Sequence, residues 1–261
     1  MIYFVFPVFN EEANIRNLVV NLRKKMVDKK YKIIAVNDGS SDRSLDILNE
    51  LMDENLIIDG SVINMNVGAV FSVGISRVLS ESQNPDDIMI IMESDQTSEV
   101  DLVDELISSI QKGEKDIVIA SRYKGEGEYV NFPFLRTIFS RCANVMMHHF
   151  FPIKDVIDYT IFFRAYRIGI LKKAVKYFGR YGLIQSKGFV ANAELLIKLS
   201  LITDRIREIP FVYNYAKKKG ASKLNVFRTI NEYFVLVSYL KRIFKKVSKW
   251  KKQNAIEGVL K

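Results

Sequence analysis

Residues 2–9, IYFVFPVF, form an almost unbroken apolar run of the length of one buried strand. In residues 11–28, Ile15, Leu18, Val19 and Leu22 recur at helical spacing, and the apolar strand KIIAVND follows. The alternation continues through a helix at 42–52, a strand at 56–64, a helix at 69–79, the strand DIMIIM, a helix at 101–111 and the strand DIVIAS. Strands of near-continuous Val, Ile and Met leave no polar face, so the sheet must be covered on both sides, and helical connections make neighbouring strands parallel. The pattern predicts a doubly wound α/β fold with a mostly parallel sheet. Past Ser121 the regularity ends: a loop at 124–128, a helix at 134–149, the strand-like TIFFRAYR, a helix near 189–201 and the segment EIPFVYNY follow.

A helical period returns over residues 226–252. Leu236, Leu240, Ile243, Phe244, Val247 and Trp250 fall in one arc, and Lys241, Arg242, Lys245, Lys246, Lys249 and Lys252 in the opposite one. Residues 241–261 carry eight basic residues against the single acid Glu257, so +7 of the net charge of +9 lies there. A Trp and Phe arc backed by lysines predicts a helix lying in an anionic membrane surface, where each basic residue contributes roughly 1 kcal/mol. The alternative is a helix that packs its apolar stripe on the body or on a membrane partner protein. The nearly neutral remainder argues against a nucleic-acid partner. A hydrophobic content of 48% excludes a disordered chain, and the single cysteine, Cys142, excludes a disulfide framework and suggests a core position. No run of about 18 apolar residues and no signal-peptide pattern occurs, which points to a cytoplasmic protein, peripheral on the cytoplasmic face of a membrane.

In sheets of this kind ligands bind beyond the carboxyl ends of the strands. The residues there are Asn10-Glu11-Glu12, the run Asn37-Asp38-Gly39-Ser40-Ser41-Asp42, Asn64 to Gly68 and Glu93-Ser94-Asp95. Two carboxylates two residues apart, Glu93 and Asp95, suit Mg²⁺ or Mn²⁺, hard cations held by one or two carboxylates plus substrate phosphates. A solvated turn capped by Ser98 or Asp101 is the structural alternative. Asp38, at the end of a buried strand, needs donors, which a base N–H or ribose hydroxyls could supply. His148 and His149 point about 100° apart on a helix and make no metal pair.

Taken in order, these segments resemble family 2 glycosyltransferases of the GT-A fold, in the branch of dolichol-phosphate mannosyltransferases and related polyprenyl-phosphate glycosyltransferases. The resemblance covers about residues 2–225 and rests on FPVFNEEANI, VNDGSSDRS, IMESDQ, IVIASRY, LRTIFSRCAN, VIDYTIFFRAYR, Glu194 and GASKLN. It implies that Pro7, Phe9, Asn10, Glu11, Asp38 and Ser94 hold a nucleotide-sugar, and that Glu93 and Asp95 hold a divalent cation, Mg²⁺ or Mn²⁺, with the diphosphate. It further implies that Arg122, Arg136 and Arg141 meet an acceptor phosphate, and that Asp158 is the base or the acceptor-orienting carboxylate. Residues 1–121 then form the donor half and 122–225 the acceptor half of one GT-A domain, with 226–261 as a basic tail. The implied activity is metal-dependent, inverting transfer of a sugar from a nucleotide-sugar to a polyprenyl-phosphate or lipid-linked glycan. Transfer to a hydroxyl of a surface polysaccharide, which would demand Asp158 as base, and a non-catalytic nucleotide-sugar-binding scaffold are the alternatives. The chain departs from the family pattern at Asn37, Glu93, Thr97 and Ile161-Phe162, and in offering lysines over 213–219 where an Arg is usual.

Overall fold

The computed structural model describes residues 1–218 and 226–259, with side chains through residue 246. Its chain order is β1 (Ile2–Val8), α1 (Ile15–Lys25), β2 (Tyr31–Asp38), α2 (Ser44–Glu50), β3 (Leu56–Ser61), α3 (Val67–Glu81) and β4 (Ile88–Ile91). A single turn at Val100–Leu102 leads to α4 (Val103–Gln111), β5 (Ile117–Ser121), β6 (Glu128–Val130) and α5 (Phe134–Phe150). Then come β7 (Arg164–Arg167), α6 (Ile168–Phe178), α7 (Ala191–Ser200), β8 (Ile206–Pro210), β9 (Val212–Asn214) and α8 (Val226–Val259).

Seven strands form one sheet in the order β3-β2-β1-β4-β7-β5-β8, all neighbours parallel except those flanking β7. Every residue of β4 and β5 is buried, as the absence of a polar face requires. Helix α3 lies so close to β1 and β2 that a Cβ at Gly74 would sit 2.5 Å from Val5 Cγ1; only glycine permits this approach. Pro7 stands in β1 beyond Val5, its last residue paired to β4, so the missing N–H costs that ladder nothing.

Several expectations are corrected. TIFFRAYR is strand only over Arg164–Arg167, because the Thr160 and Ile161 N–H groups before it donate to Asp158 Oδ1 rather than to a neighbouring strand; Arg164 itself is fully buried, its guanidinium tied to the Asn192 side chain and backbone carbonyl and to the Asp158 carbonyl. Helix α6 was not anticipated, although Ile168, Leu171 and Ala174 share its buried face and Gly179, at φ 78°, ends it. Cys142 is exposed rather than core. The C-terminal apolar arc is largely spent on the body: Leu236 and Leu240 are buried, Ile243 and Phe244 pack on the core, and the Phe244 ring lies 5.1 Å from that of Phe151. The packing alternative therefore holds through residue 244. The side chains of Val247, Lys249, Trp250 and Lys252, and the segment GASKLN, lie outside the described residues. Among the described residues no helix is long and apolar enough to cross a membrane.

Candidate functional site

The carboxyl ends of β1, β2, β4 and β5 open onto one cavity of about 740 Å³. Pro7, Phe9, Glu11, Asp38, Glu93, Ser94, Asp95, Arg122 and Arg136, expected from the sequence, line it; Asn10, Arg141 and Asp158 do not.

The loops after β1 and β2 are stitched together. Asn10, at φ 52°, accepts from the Ser41 N–H at 2.8 Å and donates its own N–H to Ser40 Oγ at 3.1 Å. The Glu11 N–H donates to Ser44 Oγ, and Glu11 Oε2 accepts from Asn14 Nδ2 at 2.8 Å. This turn is why α1 starts only at Ile15. Asp42 accepts from the Ser44 N–H in the turn that leads into α2. Gly39, at φ 70°, is required because a Cβ there would meet the Ile63 backbone at 2.5 Å. Asn37, in place of the expected acid, is a tie: it donates to the Ser61 carbonyl at 2.9 Å and accepts from the Ser40 N–H.

Asp38 is buried at the cavity wall and accepts from the Met65 N–H and from Asn64 Nδ2. Burial pushes its carboxyl above the usual range, and these bonds pull back against that push. The carboxylate thus draws residues 64–66 over the end of the sheet, which ends β3 at Ser61.

Ser94 donates to the Pro7 carbonyl at 2.7 Å and locks the two strand ends together. Asp95 Oδ1 accepts from the Thr97 N–H and hydroxyl, while Oδ2 is paired with the Lys218 ammonium. Glu93 accepts from the Ser98 hydroxyl; burial, reinforced by the Asp95 charge, pushes it up to about 7. These groups fit a hard divalent cation, since Asp95 already holds a cationic group on its cavity side. Among the described residues no three His, Cys, Asp or Glu side chains converge, so further ligands would come from diphosphate and water.

Arg122 ends β5. Its Nε meets Asp158 Oδ2 at 2.8 Å and its Nη2 meets Asp158 Oδ1 at 2.6 Å. Its guanidinium carbon lies 4.9 Å from the centre of the Tyr129 ring, 5.7 Å from that of Tyr123 and 5.9 Å from that of Tyr213. Tyr129 and Tyr213 come from the two-stranded β6–β9 sheet. Asp158 is fully buried and also accepts from the N–H groups of Arg122, Thr160 and Ile161. Burial raises its carboxyl, but Arg122 outweighs burial and holds it below the ordinary range. Asp158 therefore stands behind Arg122 rather than facing substrate, which is not the geometry of a general base. Half-buried Arg136 reaches the cavity and donates to the Tyr215 hydroxyl at 3.2 Å; Arg141 is exposed and outside the wall.

Sequence reasoning missed Lys187, Arg228 and the apolar part of the cavity, where α5, the 160–162 segment and α8 contribute Phe139, Met146, Phe162, Tyr233 and Phe234, and it marked Lys218 only as one of the lysines over 213–219. The run of lysines over 217–219 was the one available signal for Lys218. Phe162, in the Ile161-Phe162 departure, packs edge-on to Phe71 and stacks on Phe189.

Residues 3–176 match the model of glycosyl transferase family 2. The chain is similar to the dolichol-phosphate mannosyltransferase of Pyrococcus furiosus, with 27% identity over 258 residues, 98% of this chain and 66% of that protein. It is also similar to the polyprenol monophosphomannose synthase of Mycolicibacterium smegmatis, with 23% identity over 228 residues, 85% of this chain and 80% of that protein. The chain thus spans just under two thirds of the Pyrococcus protein. Among solved structures, glucosyl-3-phosphoglycerate synthase from Mycobacterium tuberculosis, in complex with Mn²⁺, UDP and glucosyl-3-phosphoglycerate, shares the fold at a TM-score of 0.63 and 16% identity, over 92% of this chain and 78% of that one. The family match runs from β1 into α6 and so contains nearly every loop that builds the polar end of the cavity; on that basis the chain is a glycosyltransferase of the GT-A fold and belongs to glycosyl transferase family 2.

Proposed function

We propose that this enzyme moves a sugar from a nucleoside-diphosphate sugar to a polyprenyl phosphate, with inversion at the anomeric carbon and with a divalent cation. The observation that carries the reading is the make-up of the cavity: the carboxylates Glu11, Asp38, Glu93 and Asp95, the arginines Arg122 and Arg136, and an apolar wall from α5 and α8. The names of the Pyrococcus and Mycolicibacterium relatives support a polyprenyl acceptor, and the Mn²⁺ and UDP bound to the Mycobacterium tuberculosis neighbour support the donor class.

In this reading Asp38, Glu11, Pro7 and Phe9 seat the nucleoside, with Ser94 fixing the strand ends and Asn10 holding the loop they sit on. Asp95 and Glu93 hold the cation, Mg²⁺ or Mn²⁺, which neutralises charge on the departing diphosphate. Arg122 spends Nε and Nη2 on Asp158, and its Nη1 makes no hydrogen bond to the described residues. That donor, with Arg136, orients the acceptor phosphate. A phosphate oxygen is already ionised, so it attacks the anomeric carbon as the bond to the diphosphate breaks, with no base required. The engagement of Asp158 favours this acceptor over a hydroxyl, which would need a free base.

The same reading sets the enzyme on a membrane. Phe134, Leu135, Ile138 and Val145 of α5 and Phe227 and Phe234 of α8 are exposed, and Ile138 and Phe234 border the cavity. This face, whose α8 part lies on the same helix that carries the basic stretch from Lys241 onward, suits an anionic leaflet from which a prenyl chain can enter. Incubation with UDP- and GDP-linked hexoses, a polyprenyl phosphate and Mn²⁺, followed by mass measurement of the lipid, tests the proposal; a lipid phosphate one hexose heavier is expected.

A further inference from the structure

Lys218 follows β9 and the single turn at Tyr215–Lys217, and its side chain reaches the cavity wall. There its ammonium pairs with Asp95 Oδ2; the two side chains are only 13% and 10% exposed. The other carboxylate oxygen is occupied by Thr97. The neighbouring Lys217 is paired elsewhere, with Glu99 at 2.7 Å.

A divalent cation approaching Asp95 therefore meets a unit positive charge on the oxygen it needs. In a partly desolvated cleft that repulsion is screened much less than at the surface. A nucleoside diphosphate changes the balance, because its phosphate oxygens offer the ammonium another partner of higher negative charge. A compact ammonium on a flexible four-carbon stem is suited to move between such partners.

We propose that Lys218 is the resident counter-ion of Asp95 and that it makes the binding of divalent cation and nucleoside diphosphate mutually dependent. The cation binds the free protein poorly, and the diphosphate frees Asp95 by taking over the ammonium. Linkage requires the converse: the cation strengthens diphosphate binding by the same factor. This inference rests on Asp95 being the cation ligand, as the proposed function has it.

The test is Mn²⁺ binding, read by electron paramagnetic resonance of the free ion, in the parent and in Lys218→Met, each with and without UDP or GDP. Without nucleotide, Lys218→Met should bind Mn²⁺ at least about ten-fold more tightly than the parent, and with nucleotide the difference should largely vanish. Lys218→Arg, which keeps the charge, should match the parent, and adding Asp95→Asn to Lys218→Met should abolish the gain. Equal Mn²⁺ affinity of parent and Lys218→Met, with nucleotide-dependent binding intact, overturns the inference alone. Failure of the parent to bind Mn²⁺ even with either nucleotide overturns the metal assignment and the inference with it. Thermal unfolding of each variant verifies that the fold persists.

Discussion

Arg122 and Asp158 form a two-point ion pair in which both side chains are buried, and Asp158 thereby fixes the arginine at the cavity wall instead of addressing substrate itself. Removing one partner of such a pair leaves an uncompensated buried charge, which costs about 3 to 5 kcal/mol. Asp158→Ala should lose stability on that scale in urea unfolding. Its residual activity should show weakened acceptor binding with donor affinity retained. The folded-state carboxyl is depressed, so its stabilisation is fully present above the ordinary aspartate range and is lost as pH falls below that range through the depressed folded value. Unchanged stability in the variant contradicts the assignment.

Arg136 and Arg141 lie on one helix but have different surroundings, the first at the cavity and the second exposed outside it. Arg136→Ala should weaken phosphate-acceptor binding by about 1.5 to 3 kcal/mol, the worth of a charge-assisted bond, while Arg141→Ala should change it little. Acceptor titrations of initial rate at saturating donor measure both; equal effects would place the acceptor elsewhere.

Glu93 gives a pH signature in the metal-free protein. Its carboxyl is pushed from an ordinary 4.5 up to about 7, so between those values the folded chain keeps a proton that the unfolded chain has released. Stability contributed at this site therefore falls as pH rises through that window. Glu93→Gln abolishes the titration, and its gain over the parent should be larger near about pH 8 than near about pH 5, by roughly 3 kcal/mol at most. Urea unfolding with a chelator at both values measures it, and a gain independent of pH is the contrary result.

The donor end was legible in the sequence because its residues directly follow predictable strands: Asp38 closes β2, the Glu93 to Asp95 run follows β4, and Arg122 follows β5. What pattern could not give was direction. Asp158 looked available for base chemistry, yet a partner 36 residues away takes both its oxygens. The arc of Leu236, Leu240 and Phe244 has the periodicity of either a membrane-facing or a core-facing helix, and only α5 and the body decide between them. Helix α6 carries its signal in the apolar spacing of Ile168, Leu171 and Ala174.

The exposed apolar face proposed to meet a membrane makes its own prediction. Replacing Phe134, Leu135 and Phe227 by Ser should weaken cosedimentation with anionic vesicles while leaving nucleotide binding intact, since the three are exposed by 76%, 66% and 83% and carry no core packing. Undiminished cosedimentation would assign attachment to the basic tail alone.

Transfer to a lipid phosphate is tested by offering the enzyme one nucleotide-sugar with either a polyprenyl phosphate or the matching polyprenol, in Mn²⁺ and again with chelator. The expected product is a glycosylated lipid phosphate of inverted anomeric configuration, formed only with the phosphate acceptor and only when the cation is present. Glycosylation of the free polyprenol at a comparable rate would contradict this expectation.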